Sequence, residues 1–212
     1  MATVLYPPFD AERFRSESMP LVSLELLSMA HVPELVKVVE TDAIWRNPYG
    51  VIPKPDAVSE YVETALRDVA KGFTCAFVIR NTTLNNTKNS LEKSNVLGCT
   101  RFFQLNAQHR RVQIGGTWLA SCARRTGLNS AVKWLLLREA FEIMRLQRVE
   151  FTVLTENTTS RESLLRLGAS FEGVLRQYLN INGLASDAAM YSFTQNDWQA
   201  LKSCMFLKNS RA

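Results

Sequence analysis

The hydrophobic period of the chain switches repeatedly between two and about 3.6 residues, and each switch marks an element boundary. Val22-Ser-Leu-Glu-Leu-Leu27 alternates as a half-buried strand, and Ser28 is of the right type to cap a helix running to about Thr41. Trp45 and Tyr49 follow in a loop, where aromatic rings either line a pocket or plug the core. Pro55 opens an amphipathic helix with Val58, Tyr61, Val62, Ala65, Leu66 and Val69 at helical spacing, and Gly72 stops it. Phe73 to Arg80 and Val96 to Leu105 then read as strands, separated by the polar stretch Asn81 to Asn95, whose composition is that of a mobile hairpin tip. Val112-Gln-Ile-Gly-Gly-Thr-Trp-Leu119 is a further strand, and Gly115-Gly116 predicts a bulge or a close backbone approach within it.

The period returns to helical from Ser130 to Met144, entered through the basic loop Arg124-Arg125-Thr126-Gly127-Leu128-Asn129. The first turn of a helix carries four N–H groups without intrahelical partners and roughly half a positive charge, so a phosphate bound there gains hydrogen bonds and dipole energy together. Arg124 and Arg125 add formal charge, Gly127 permits a left-handed backbone or a close ligand, and Asn129 is a suitable N-cap. The same residues also suit an ordinary strand-to-helix connection with solvated arginines. Beyond the helix, Arg148 to Thr155 is a β-branched strand, and strand-helix-strand units of this length imply parallel neighbours joined by a right-handed crossover. Asn157 to Leu167 is a short helix ended by Gly168, with Thr159 and Glu162 as a capping box. Phe171 to Ile181 and Ala188 to Thr194 form a hairpin around Asn182-Gly183, and Asn196 caps a last helix through about Met205.

At 212 residues and 46% hydrophobic, the chain is long enough to bury a core without disulfides or metals. The expected layout is an N-terminal arm over residues 1–20, one domain over 21–206 and a tail over 207–212. The net charge of +5 permits an anionic ligand but is spread along the chain. His109-Arg110-Arg111 and Arg124-Arg125 flank opposite ends of a strand, which separates them by roughly 25 Å and disfavours one continuous nucleic-acid stripe. Cys75, Cys99, Cys122 and Cys204 form no C-x-x-C pair and have no histidines at ligand spacing, so no metal site is expected and reduced thiols are the simplest reading. No basic and apolar leader opens the chain and no run reaches membrane-spanning length, so a cytoplasmic protein without a membrane partner is expected.

The order β-α-α-β-β-β then α-β-α-β-β, the basic loop, Asn157-Thr-Thr-Ser160 and Leu167-Gly-Ala-Ser-Phe-Glu-Gly173 together resemble the GCN5-related N-acetyltransferases (GNAT), and within them the ribosomal-protein N-terminal acetyltransferase branch. The resemblance covers roughly Val22 to Leu201. It implies an α/β (α+β) fold with a mixed, mostly antiparallel twisted sheet, a splayed parallel strand pair and flanking helices. The phosphate-loop pattern is met by Arg124 and Gly127 and imperfectly by Asn129. The resemblance implies acetyl-CoA as co-substrate, held at Arg124, Arg125, Thr126, Gly127, Leu128 and Asn129, with its pantetheine arm between the two parallel strands and paired to main chain at Trp118, Leu119 and Ala120. Asn157 matches the family asparagine that meets this arm. Ser160 matches a serine that serves as general acid in the ribosomal-protein branch, and it also suits a hydroxyl in the first turn of a helix.

No base is assigned. The resemblance places the family's frequent carboxylate at Gln113, a glutamate used in some ribosomal-protein enzymes at Leu179, and the tyrosine that is the general acid of many members at Leu164; Glu172 and Asp187 read as surface or turn carboxylates, and His31 and His109 as core or solvated histidines. Without a base, acceptors that are already partly neutral are favoured, which points to a peptide or protein amino terminus or a low-pKa small amine. Trp45, Tyr49 and Trp118 are the candidates for the pocket that receives it. A homodimer is compatible with this reading. A non-catalytic acyl-CoA-binding or regulatory domain is the alternative, fed by Gln113, Leu164 and Leu179.

Overall fold

Apolar residues at Val22 and Leu24 bury one face of β1 (Val22–Leu26), which pairs antiparallel with β2 (Cys75–Asn81) from Val22↔Asn81 to Leu26↔Phe77. This computed structural model describes residues 22–49, 52–82, 95–181 and 183–209, with the backbone alone for Asp42 and 204–209. The arm with Pro7-Pro8, residues 83–94 of the polar insert, Asn182 of the hairpin turn and 210–212 of the tail lie outside the described residues. β3 (Val96–Asn106) pairs antiparallel with β2, and the Asn81 N–H donates to the Asn95 carbonyl at 2.8 Å, closing the base of their hairpin. With β4 (Arg111–Leu119), β5 (Arg148–Leu154), β6 (Ser170–Ile181) and β7 (Leu184–Thr194), the seven-stranded order is β1-β2-β3-β4-β5-β7-β6. β4 and β5 are parallel, as expected, in register from Arg111↔Arg148 to Gln113↔Glu150. That register ends there although β4 runs on to Leu119 and β5 to Leu154.

The chain divides into two compact units, one of Met1–Gln104 with Gly115–Leu136 and one of Leu105–Ile114 with Leu137–Ala212. In the first unit, 3-10 turns at Met29–His31 and Pro55–Ala57 lead into α1 (Val32–Asp42) and α2 (Val58–Ala70). The helical spacing of α2 is met, with Val58, Val62 and Ala65 buried and Tyr61, Leu66 and Val69 packed partly buried against the same cluster. Leu35, Val39, Val78, Cys99 and Trp118 complete that core, and each aliphatic side chain so buried stabilises the fold by about 1.5–3 kcal/mol. α3 spans Leu128–Arg138, starting two residues before the expected Ser130, and widens into a π-helical turn over Glu139–Ile143. The correction has a local cause: the Gly127 carbonyl already accepts the Ala131 N–H at 3.1 Å, which puts Asn129 inside the first turn instead of at the N-cap.

In the second unit, Phe151 meets Phe193 edge-on at 6.2 Å, and Phe141 stacks on Trp198 at 6.0 Å. Trp198 anchors α5 (Gln195–Asn209), its indole fully buried and its Nε1 donating to Glu142 at 3.2 Å. The cap of α5 is a reciprocal pair, Thr194 with Asp197, and the expected cap Asn196 lies within the helix. α4 (Thr158–Leu167) is likewise capped differently from the expected Thr159–Glu162 box: Asn157 Oδ1 accepts the Ser160 N–H at 3.1 Å, and Glu162 instead pairs with Arg166. β7 begins four residues before the expected Ala188, at Leu184, because β6 absorbs two register shifts and Asp187 Oδ1 takes the Gln177 N–H at 2.8 Å.

Candidate functional site

The loop into α3 is built from the end of β4. Gly98 of β3 lies so close to β4 that a Cβ there would sit 2.0 Å from the Trp118 carbonyl oxygen, and the Ala120 N–H donates to the Leu97 carbonyl at 2.6 Å. β4 itself turns at Gly116 (φ +55°), and a Cβ at Gly115 or Gly116 would meet the Phe103 ring at 3.0 or 3.2 Å. The expected close approach is therefore made by an aromatic side chain. After a 3-10 turn at Ser121–Ala123, Arg125 (φ +61°) and Gly127 (φ +86°) both take left-handed backbone. Arg124 Nε folds back to the Leu119 carbonyl at 3.3 Å, and Thr126 Oγ1 donates to the Ala123 carbonyl at 2.8 Å while receiving the Leu128 N–H at 3.4 Å. Arg124 to Gly127 are all exposed, and nothing lies within 4 Å of where a Gly127 Cβ would be. The loop thus presents two arginines and the start of a helix to open space, an arrangement suited to an anion.

Beside this loop lies a buried polar chain that sequence reasoning missed. Lys133 of α3 is 7% exposed, its Nζ donates to Thr117 Oγ1 at 2.7 Å, and Thr117 Oγ1 lies 2.7 Å from Thr100 Oγ1. Burial draws the ammonium down from 10.5 to about 7. The sequence carries no clear signal for it, because Asn129 and Ser130 flank Lys133 on the helix and suggest a solvated face, while the structure buries it. Of the acceptor candidates, Trp118 is buried and donates through Nε1 to Tyr61 Oη at 3.2 Å, and Trp45 packs partly buried against the same core between Arg46 and Lys54. Tyr49 is exposed.

In the second unit, Asn157 and Ser160 are brought together by the cap of α4, with the Ser160 side chain half-buried. Arg161 braces this turn through the Thr155 carbonyl at 2.8 Å and Tyr191 Oη at 3.1 Å. Leu164 is buried, so the position of the family tyrosine is occupied by core. Gln113 Nε2 donates to Thr152 Oγ1 at 2.6 Å, and Leu179 faces Ser186 across the hairpin. Glu172 is held by the Arg148 guanidinium and by the Ser192 hydroxyl at 2.6 Å, which keep its carboxyl low, at about 2, against the opposing effect of burial. A carboxylate so stabilised is a poor proton acceptor near neutrality. His109 lies in an exposed turn; His31, in the first unit, is buried, its Nδ1 accepting the Ser28 N–H at 3.0 Å and its Nε2 3.2 Å from Glu25. Among the described residues no group of three His, Cys, Asp or Glu is placed to hold a metal, and no helix is long and apolar enough to cross a membrane.

Two Bacillus subtilis (strain 168) proteins are similar in sequence. "Uncharacterized N-acetyltransferase YoaA" is 34% identical over 100 residues, covering 47% of this chain and 56% of that one. "Putative ribosomal N-acetyltransferase YdaF" is 30% identical over 112 residues, covering 53% and 61%. The chain thus spans little more than half the length of the curated relatives it matches. In three dimensions it is similar to the crystal structure of a probable GNAT-family acetyltransferase from Chromobacterium violaceum ATCC 12472, with a TM-score of 0.72, 26% identity and coverage of 88% of this chain and 87% of that one. Residues 22–170 match the model of the acetyltransferase (GNAT) domain, and the chain belongs to that family.

Proposed function

We propose that the protein is an acetyl-CoA-dependent N-acetyltransferase acting on a primary amine, with peptide or protein amino termini and low-pKa small amines as its acceptor class. The observation that carries this reading is the entry to α3, where left-handed Arg125 and Gly127 lead into a helix start that is open at Gly127 and preceded by two exposed arginines. Family membership and the similarity to YdaF run in the same direction. In this reading the main chain of Gly127, Leu128 and Asn129, with Arg124, Arg125 and Thr126, binds the pyrophosphate. The main chain of Trp118, Leu119 and Ala120 meets the pantetheine arm, a role that the family resemblance gives to Asn157 as well, and Trp45, Tyr49 and Trp118 serve the acceptor.

The chemistry needs a neutral amine whose lone pair attacks the thioester carbon, forming the C–N bond and placing negative charge on the carbonyl oxygen, which main-chain N–H groups stabilise. Collapse re-forms the carbonyl and breaks the C–S bond. The departing thiolate takes its proton from the Ser160 hydroxyl, the amine releases its own proton to solvent, and solvent returns one to Ser160, so the hydroxyl is restored. A thiol-release assay with acetyl-CoA and a panel of peptides and small amines tests the reading, alongside the shift in melting temperature on CoA binding. Gly127→Asp puts bulk and negative charge against the phosphates and should abolish that shift. A full shift in the mutant would remove the loop from the argument, and a shift without turnover on any acceptor would return the chain to the non-catalytic acyl-CoA-binding alternative.

A further inference from the structure

Arg101 of β3 retains 9% of its surface exposed, yet its Nε and Nη2 are fully buried and have no hydrogen-bond partner. These two nitrogens are neighbours on one edge of the guanidinium, where their N–H bonds run parallel at the spacing of the two oxygens of a carboxylate. One face of the group is covered by the Tyr61 ring, 4.5 Å away, and Tyr61 is in turn fixed by the Trp118 indole. Tyr61 stays a neutral phenol, pushed up to about 12 by burial, so it supplies no counter-charge. Asp68 of α2 feels the Arg101 charge, but its carboxylate is solvent-exposed and bonded to Lys71 at 2.8 Å. On the β4 side the position facing Arg101 is Gly116, where a Cβ would lie 3.2 Å from the Phe103 ring and 3.6 Å from Arg101 Cδ. A buried cation with one complete bidentate edge unused is costly to fold and is retained where something else completes it.

We propose that the Nε–Nη2 edge of Arg101 receives a carboxylate carried by the acceptor amine, making Arg101 a specificity-determining residue. The inference rests on the acetyltransferase reading above and narrows its acceptors to amines that bear an acid, such as an α-amino acid or a peptide with Asp or Glu beside its free amino terminus. A guanidinium edge is satisfied fully by a carboxylate and only partly by a carboxamide, which offers one acceptor atom. The test uses the full chain with acceptors in matched pairs: an α-amino acid and its amide, and a short peptide with Glu or with Gln after its amino-terminal residue.

The wild type should prefer the acid member of at least one pair by roughly tenfold to a hundredfold in kcat/KM, mainly through KM. Arg101→Gln should level the preference and Arg101→Lys should keep part of it, while the CoA-induced melting shift stays as in the wild type. That shift shows the variants are folded, and its absence in the wild type would overturn the acetyltransferase reading and this proposal with it. Equal use of acid and amide by an active wild type, or a preference that survives Arg101→Gln, would overturn the proposal and leave the acetyltransferase reading standing. Should Arg101→Gln not fold, the wild-type comparison and Arg101→Lys decide alone.

Discussion

Ser160 tests whether a hydroxyl at the start of a helix is structural or chemical. Its backbone N–H already serves the Asn157 cap, so removing the side-chain oxygen leaves that bond intact. Ser160→Ala should therefore cost little stability and leave CoA affinity unchanged, while kcat falls by ~10²-fold or more if the hydroxyl protonates the thiolate. Unchanged turnover in a folded mutant would return Ser160 to a capping residue. Lys133 makes a different kind of statement, because its folded pKa of about 7 lies below the ordinary 10.5. Between those values the unfolded chain binds the proton and the folded one does not, so this group raises stability as pH climbs from about 7 toward 10.5, and below 7 its charging is a constant cost. Lys133→Met removes the dependence and leaves Thr117 its contact with Thr100. Melting temperatures of both proteins across that range should diverge in the wild type's favour as pH rises; a constant difference would mean that Lys133 stays charged.

At the level of elements, the end of β4 is positioned by contacts from β3. Gly98 is the sharpest of them, since any side chain there meets backbone, which cannot rotate away as the tip of a side chain can. Gly98→Ala should destabilise by about 1–3 kcal/mol or more. It should also weaken CoA binding by displacing Trp118 and Leu119, the main chain proposed to meet the pantetheine arm. Denaturant midpoints together with CoA titration check both effects, and a mutant of wild-type stability would show that the two strands are less tightly fitted. Nothing in the sequence around Gly98 distinguishes it, because its requirement comes from a strand twenty residues downstream. α2 is the opposite case: its buried face is written in its own spacing, at Val58, Val62 and Ala65. The ends of α3, α4 and α5 lie between these extremes. Several residues near each have capping chemistry, and the competition among them is settled by which hydrogen bonds the neighbouring turns leave available.

For the molecule as a whole, the two carboxylates weighed as a base are committed elsewhere: Glu172 to Arg148 and Ser192, and Asp187 to the Gln177 N–H. If the protein transfers acetyl as proposed, it should favour amines that are already partly neutral. At pH 7 an α-amine of pKa ≈ 7.8 is roughly 14% neutral and a lysine of pKa ≈ 10.4 about 0.04%, a gap of ~3.5 kcal/mol in deprotonation. Paired peptides, one with a free amino terminus and blocked lysine and the other reversed, should show faster acetylation of the terminus near pH 7, with the lysine peptide gaining as pH rises. Equal rates near pH 7 would reveal a base. What the sequence determined by itself was whatever depends on near neighbours: the strand and helix periods, the glycine at the left-handed turn into α3, the parallel crossover from β4 to β5 and the family pattern that these compose. What only the tertiary structure decided was the state of single side chains, namely the low pKa of Lys133, the commitment of Glu172, the closeness of Gly98 to Trp118 and the unfilled edge of Arg101. Desolvation, charge pairing and backbone clearance are set by atoms far away along the chain, and a linear pattern does not contain those distances.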